Sequence, residues 1–174
     1  MKIVQKIKNH IQNNNELLMT EEEFFEAYQK IKQDITNTKK SVDFPVAIVL
    51  GGQPGAGKSN IYQIARKRFS NNLVELDCDA FRVYHPYYEQ IKLMFGKEDG
   101  AKTNPFVFKA VDMLVEELSD QKYNLIIESS LNRPNTVLIM EKCFLLKDMK
   151  LNYILWLLIK KFLGKVQSID IMKK

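Results

Sequence analysis

Four of the chain's seven glycines fall within positions 51–57, and this cluster constrains the fold more than any other feature of the sequence. Residues 52–59 read GQPGAGKS and match the pattern G-x-x-x-x-G-K-[ST] in full. Such a loop needs glycine because its backbone N–H groups must converge on a phosphate with unusual dihedral angles. The pattern predicts a loop that binds the phosphates of a nucleoside triphosphate.

The neighbours of this phosphate loop support the same interpretation. The apolar run Val46–Leu50 precedes it and a helical pattern follows it, which is the context that the motif requires. A glycine-rich turn with an incidental lysine is the alternative, and this context disfavours it. Lys58 is expected to reach the β- and γ-phosphates, and the Ser59 hydroxyl to bind Mg²⁺. The other expected nucleotide contacts come from Gly52, Gln53, Pro54, Gly55, Ala56 and Gly57.

Short apolar runs alternate with amphipathic segments after the loop. Within the first of these helices, Ile61, Ile64 and Ala65 are expected to face inward. The alternation predicts an α/β fold, a P-loop kinase-like parallel sheet covered by helices on both faces. The predicted strands are Val46–Leu50, Leu73–Leu76, Leu125–Ile127 and Ile154–Ile159, and the predicted helices are Asn60–Phe69, Phe106–Leu118 and Thr136–Lys147.

The first 40 residues are predicted to be helical. Apolar residues at helical spacing indicate a short helix over residues 3–11, and Thr20 followed by Glu23 indicates a capping box that opens a helix to about Thr36. We therefore divide the chain into an N-terminal helical segment, residues 1–40, and a nucleotide kinase domain, residues 41–174. The N-terminal helices serve either as ordinary covering structure or as a face that binds a partner.

Composition excludes several classes of function. The net charge is +5, but residues 1–140 are electrically balanced and the whole excess lies in the lysine-rich residues 141–174, so no nucleic acid is expected as a partner. Cys78 and Cys143 form no zinc-binding pair. No signal peptide is apparent, and the longest apolar stretch is far shorter than the ~20 residues that span a bilayer. We expect a soluble, cytoplasmic protein without membrane contacts.

Acidic residues follow two of the predicted strands. The chain lacks the N-K-x-D and D-x-x-G motifs of a GTPase, which leaves a small-molecule kinase that needs a base and an acceptor pocket. Asp77 and Asp79 follow the second strand, and Glu128 follows the third, so their side chains are expected at the edge where ligands bind. One aspartate would orient Mg²⁺ and the other would accept a proton, unless both merely cap the next loop.

Three segments together resemble the zeta toxins of bacterial toxin–antitoxin systems. They are the loop GGQPGAGKS at 51–59, DCDAFR at 77–82 with His85 and Pro86, and LSDQKYNLIIE at 118–128. The resemblance runs from about Phe24 to about Met172. It implies a kinase that uses ATP and Mg²⁺ to phosphorylate the 3′-hydroxyl of UDP-N-acetylglucosamine, a cell-wall precursor. It also implies restraint by a small helical antitoxin, which packs on the N-terminal region in this family.

The resemblance also implies roles for individual residues. Lys58 and Asp79 would be catalytic, with Asp79 as the general base, and Ser59 would bind Mg²⁺ with Asp77 as a further candidate ligand. Asp112 stands at the place of a substrate-binding glutamate. Glu128 and Ser130 match the acid and hydroxyl of an E-G-T motif in which Ser129 replaces glycine. The expected substrate-binding residues are Phe81, Arg82, His85, Asp112, Glu128, Ser130 and Arg133.

The sequence departs from the family where the family carries arginines. Asn132 occupies the expected position of one arginine and Arg133 is displaced by one residue, while Ser168 replaces a lid arginine. A second lid arginine would lie beyond Lys174, so the chain resembles a C-terminally truncated toxin. Such an arginine is worth about 10³–10⁵ in rate. Besides the active kinase, two hypotheses stay open: a remnant that binds ATP and antitoxin with weak catalysis, and a kinase for another small hydroxyl acceptor.

Overall fold

A computed structural model of the chain describes residues 19–51, 58–129 and 150–155. The predicted helices at residues 3–11 and Thr136–Lys147 lie outside these ranges, as do residues 52–57, Ser130, Arg133 and Ser168. The described helices are α1 (Glu21–Thr36), α2 (Lys58–Arg68), α3 (Cys78–Phe81), α4 (Tyr88–Phe95) and α5 (Asp99–Asp120), with 3₁₀ helices at Arg82–Tyr84 and Gly96–Glu98. The described strands are β1 (Val46–Gly51), β2 (Val74–Leu76), β3 (Leu125–Ser129) and β4 (Lys150–Leu155).

The described strands form one parallel sheet in the order β2-β3-β1-β4. The apolar run of β1 is buried from Ala47 to Leu50 and that of β3 from Leu125 to Ile127, as expected for strands inside a parallel sheet. In the register of β1 with β3, Leu50 lies opposite Glu128 and Gly51 opposite Ser129. The predicted α/β, P-loop kinase-like fold is confirmed, and β1 ends beside Glu128 at the point in the sequence where the phosphate-loop motif begins.

The described residues divide into two compact units. The helical unit comprises residues up to Ile35 together with Asp77–Leu114, and the sheet unit comprises Thr36–Leu76 together with residues from Val115 onward. Both units combine distant parts of the sequence. The division into segments 1–40 and 41–174 stays a prediction.

Two asparagine side chains join the starts of the strands in the sheet unit. Buried Asn124 accepts a hydrogen bond from the Val46 N–H at 3.0 Å and donates one to the Asn72 carbonyl at 3.1 Å. The Asn72 amide exchanges two further hydrogen bonds with the backbone of Lys40, at 2.7 and 2.9 Å. Backbone groups that are not paired within secondary structure need other partners, and here two amide side chains supply them ahead of β1, β2 and β3.

The helical unit is built around aromatic side chains of α1 and α5. The predicted capping box is confirmed, because Thr20 N–H donates to Glu23 Oε2 at 2.7 Å and Glu23 N–H donates to Thr20 Oγ1 at 3.1 Å. The helix so begun buries Phe24, whose ring meets that of Phe106 edge-to-face at 5.8 Å. Lys109 lies over the Phe24 ring and also binds Glu21, so the same surface is fixed by both packing and charge.

Three boundary or burial predictions are wrong in part. Ile64 is 44% exposed, because the face of α2 that packs on the core carries Ile61 and Ala65, and Ile64 lies at the edge of that face. Helix α5 begins at Asp99 and runs through Pro105, seven residues before the predicted start at Phe106. The first two turns of α5 are polar and lack apolar residues at helical spacing, so the sequence pattern did not predict them. Side-chain hydrogen bonds of Thr103 stabilise these turns.

The last strand is the third difference. It begins at Lys150 rather than at Ile154, because pairing with β1 already starts opposite Val46 and includes the polar Asn152. Backbone pairing with β1 therefore includes residues that precede the apolar run from which the strand was predicted. Residues 156–159 of the predicted strand lie outside the described ranges.

Replacing Asn124 with alanine should destabilise the fold strongly. The change leaves the part-buried Val46 N–H and Asn72 carbonyl without their side-chain partner, and each such unsatisfied group costs about 1–3 kcal/mol. We expect Asn124→Ala to lower the free energy of unfolding by about 3 kcal/mol in urea denaturation. The exposed Asn60→Ala should change it by less than about 0.5 kcal/mol. A similarly small loss in Asn124→Ala would contradict the role assigned to this amide.

Candidate functional site

The phosphate loop connects the carboxyl end of β1 to the first turn of α2. Strand β1 ends at Gly51 and helix α2 begins at Lys58, so residues 52–57 span the connection. This strand–loop–helix order is the context predicted from the motif. The first turn of α2 contains no acidic residue, and its unpaired N–H groups give it a partial positive charge. Ser59, whose hydroxyl is the expected Mg²⁺ ligand, is exposed on this turn.

Glu128 lies at the carboxyl end of β3 and contacts the same helix. It is half-buried, and Tyr62 on α2 donates a hydrogen bond to its Oε2 at 3.4 Å. Arg66, one turn further along, places its guanidinium 6.0 Å from the centre of the Tyr62 ring. Sequence reasoning identified Glu128 but missed Tyr62, although its place one turn into the helix after the loop is a usable signal.

Arg66 also connects α2 to β2. Its Nε and Nη2 donate to the two oxygens of Glu75 at 2.6 and 2.7 Å, a bidentate pair. The hydrogen bond and the charge of Glu75 raise the pKa of Arg66 above its usual value. Because both side chains are partly exposed, the pair orients α2 on the sheet more than it stabilises the fold.

Asp77 caps the short helix α3. Its Oδ1 accepts hydrogen bonds from the backbone N–H of Asp79 at 2.9 Å and of Ala80 at 3.3 Å. The backbone of Asp77 is extended, as is usual for an N-cap residue. Asp77 thus forms a cap, and whether it also serves as a Mg²⁺ ligand stays a prediction.

Asp79 is the most exposed carboxylate of this segment and is paired with Arg82. Arg82 Nε donates to Asp79 Oδ1 at 3.0 Å, and Arg82 Nη2 lies 2.9 Å from the same oxygen. The side chain of Asp79 is 82% exposed, whereas that of Arg82 is 15% exposed. The predicted base is therefore accessible to solvent but held on one oxygen.

His85 lies in an apolar environment. It is 4% exposed, its ring meets Phe106 edge-to-face at 5.2 Å, and its Nδ1 accepts the Tyr87 N–H at 3.1 Å. Burial lowers the pKa of His85 to about 4, and the nearby charge of Glu23 opposes this only in part. The imidazole is therefore neutral at pH 7 and shapes its segment by packing and by one hydrogen bond.

Glu23 fixes the same segment from α1. Its Oε1 accepts a short hydrogen bond from the Tyr87 hydroxyl, which raises the pKa of Tyr87, while its Oε2 completes the capping box. Further along, Asp34 accepts a hydrogen bond from the Tyr84 hydroxyl at 2.8 Å. Helix α1 thus holds two tyrosines of residues 84–87, a connection that sequence reasoning missed.

Four predicted substrate-binding residues remain, two of them within the described ranges. Phe81 is buried and packs edge-to-face on Tyr84, and Asp112 is half-buried on α5. Ser130 and Arg133 are not among the described residues. In the part of the chain that the structure describes, no cluster of three or more acidic, histidine or cysteine side chains could hold a metal. No helix there is long and apolar enough to cross a membrane.

The parallel sheet with its phosphate loop between β1 and α2 defines a P-loop protein of the kinase-like α/β class. A family model of the zeta toxins matches residues 28–147, which is more than half of the chain. The chain therefore belongs to the zeta toxin family.

Individual relatives agree with this assignment. Toxin PezT of Streptococcus pneumoniae serotype 4 (strain ATCC BAA-334 / TIGR4) is 43% identical over 112 residues, which are 64% of this chain and 44% of PezT. Toxin zeta of Streptococcus pyogenes is 29% identical over 111 residues, which are 64% of this chain and 39% of that toxin. The chain thus matches less than half the length of these curated relatives.

A solved structure matches the fold as well. It comes from a study of the PezAT chromosomal toxin–antitoxin system of the human pathogen Streptococcus pneumoniae. The two structures superpose with a TM-score of 0.73 at 36% sequence identity, covering 79% of this chain and 57% of that one. The predicted family and fold class are confirmed.

The buried His85 should make stability depend on pH. The unfolded chain binds a proton at His85 below about pH 6.5, whereas the folded chain does so only near pH 4, so stability falls as the pH drops through this window. We expect wild type to lose roughly 2 kcal/mol more than His85→Asn between pH 7 and pH 5. Asparagine keeps an acceptor for the Tyr87 N–H but does not titrate. Urea unfolding at both pH values measures this, and equal losses would contradict it.

Proposed function

We propose that this chain is an ATP-dependent kinase that transfers the γ-phosphate to the 3′-hydroxyl of UDP-N-acetylglucosamine. The observation that carries the proposal is the complete phosphate-loop motif between the carboxyl end of β1 and the start of α2. Membership of the zeta toxin family supports a toxin kinase over other P-loop functions. Transfer would form a bond from the hydroxyl oxygen to the γ-phosphorus and break the bond to ADP.

The chain's own residues supply the parts of this reaction. Lys58 and the backbone N–H groups of the loop bind the phosphates, and Ser59 offers a hydroxyl to Mg²⁺, which when bound balances charge on the phosphate oxygens. Asp79, with its exposed carboxylate, accepts the proton of the attacking hydroxyl. Asp77 has one carboxylate oxygen engaged in capping α3, so any contact to Mg²⁺ falls to the other oxygen.

We assign acceptor recognition to residues of α3, α5 and β3, to His85, and to two residues outside the described ranges. Glu128 is fixed beside α2 by Tyr62, and Asp112 lies on α5. Neutral His85 and buried Phe81 shape the acceptor side by packing rather than by charge. Ser130 and Arg133 complete the proposed set, with the hydroxyl and guanidinium suited to sugar and phosphate oxygens.

A small helical antitoxin is the proposed protein partner, and the cytoplasm is the proposed compartment. The related solved structure belongs to a study of a toxin–antitoxin system, and its chain resembles this one at 36% identity. We place the contact on the N-terminal region, where α1 exposes Phe25 together with acidic residues of its first turn. Nucleic acid and membrane are not proposed as partners.

A second function is binding of ATP and antitoxin without efficient transfer. Ser168 at the position of a family lid arginine favours it, because an arginine stabilises charge on the transferred phosphoryl group. A third candidate function is that of a kinase for another small acceptor with a hydroxyl group. Separate measurements of transfer and of binding discriminate these functions.

Transfer should depend on Asp79 and on Lys58. With ATP, Mg²⁺ and UDP-N-acetylglucosamine, we expect phosphorylated product by mass spectrometry, reduced about 10²–10⁴-fold in Asp79→Asn and about 10²-fold or more in Lys58→Ala. The exposed Lys97→Ala serves as a control and should react like wild type. Equal product from wild type and Asp79→Asn would remove Asp79 as the base. No product above background, with folded protein, would overturn the kinase proposal.

Binding of ATP should be visible without turnover. Ligand at 100 times its dissociation constant stabilises a fold by about 2.7 kcal/mol, or roughly 5–10 °C in Tm for a chain of this size. We expect this shift with a non-hydrolysable ATP analogue and Mg²⁺ in wild type and Asp79→Asn, and its loss in Lys58→Ala. A shift with no product identifies the binding protein, and no shift in wild type contradicts a nucleotide site.

A further inference from the structure

We propose that Arg82 is a positioning residue that orients the Asp79 carboxylate for proton transfer, rather than a group that binds the acceptor. This inference rests on the proposed role of Asp79 as the base. In this proposal Arg82 does not make the acceptor contact that the family resemblance implies, but acts through Asp79. All the contacts that carry it lie within the helical unit.

One edge of the guanidinium engages a single oxygen of Asp79. Nε and Nη2 of Arg82 lie 3.0 and 2.9 Å from Oδ1. An exposed carboxylate on a four-residue helix has little packing to restrict its rotation, and Asp79 is 82% exposed. The contact with Arg82 restricts the rotation and leaves the proton to be accepted at Oδ2.

The opposite edge of the guanidinium is anchored to α5. Nη1 donates to the Gly100 carbonyl at 2.9 Å and to Thr103 Oγ1 at 2.7 Å. Thr103 is fully buried, and its own hydroxyl donates to the Asp99 carbonyl at 2.9 Å, so it accepts from Arg82 in a fixed orientation. The arginine is therefore held by buried groups on one side and presents its other side to Asp79.

These contacts use most of the donors of Arg82. Protein oxygens face all three of its nitrogens. Nε and Nη2 face Asp79, and Nη1 faces Gly100 and Thr103. An arginine that binds substrate phosphate or carboxylate presents a two-donor edge to the ligand. Here the two-donor edge faces Asp79 instead. The geometry therefore favours a positioning role, in which precise orientation of the base determines the rate of transfer.

The kinetic test separates positioning from binding. We expect Arg82→Gln to lower kcat about 10–100-fold with acceptor KM changed less than about twofold. Arg82→Lys keeps a charge without the fork and should recover only part of this rate. Thr103→Val keeps the arginine but removes one anchor, so kcat should fall less, by about 3–10-fold. The exposed Arg68→Gln is the matched control and should behave like wild type.

Three kinetic outcomes would overturn the inference. A raised acceptor KM at unchanged kcat in Arg82→Gln would make Arg82 a binding residue. Unchanged kcat and KM would leave it without a role in the reaction, and full activity in Arg82→Lys would show that charge alone suffices. Thermal melting of each variant checks that a lower rate does not reflect an unfolded fraction.

A crystal structure of the Arg82→Gln chain tests positioning without turnover. We expect the Asp79 carboxylate in more than one rotamer, whereas a single rotamer in the wild-type place would overturn the inference. This readout also separates the two proposals. If wild type shows no transfer that depends on Asp79, the proposed function fails, and the rotamers of Asp79 still decide whether Arg82 orients it.

Discussion

The side-chain amide of Asn124 is the contact on which the geometry of the sheet depends. It sits ahead of β3 and pairs with the backbone at the starts of β1 and β2, so three parallel strands are aligned at their amino ends. Alignment at this end fixes the register along each strand. At the other end of β1 and β3, the same register places Gly51 opposite Ser129 and Leu50 opposite Glu128. A buried polar side chain thus lies at the amino ends of the strands whose carboxyl ends carry Gly51, Glu128 and Ser129.

In the helical unit, too, single polar side chains connect separate elements through hydrogen bonds. Glu23 caps α1 with one carboxylate oxygen and binds Tyr87 with the other. Arg82 connects Thr103 on α5 to Asp79 on α3. In both cases one side chain serves two elements, so removing it breaks hydrogen bonds to both. Such side chains give residues 77–88 a defined geometry despite their short helices.

Sequence patterns predicted the local features well and the non-local ones poorly. The capping box of Thr20 and Glu23 and the strand at Val46 follow from residues adjacent in sequence, and both were predicted. The start of α5 was missed because Thr103 is stabilised by Arg82, 21 residues away, and no periodic pattern records that contact. The start of β4 and the exposure of Ile64 likewise depend on tertiary neighbours.

The two acids of the 77–79 segment differ in their tertiary contacts, a difference that the sequence leaves open. Both follow a buried strand, and either could serve as base from position alone. Asp77 has an oxygen committed to the backbone of α3, a contact with residues two and three positions away. Asp79 is instead exposed and paired with Arg82, whose other contacts lie on α5. The predicted phosphate loop is therefore recognised from a local motif, whereas the contacts that hold the predicted base come from a distant helix.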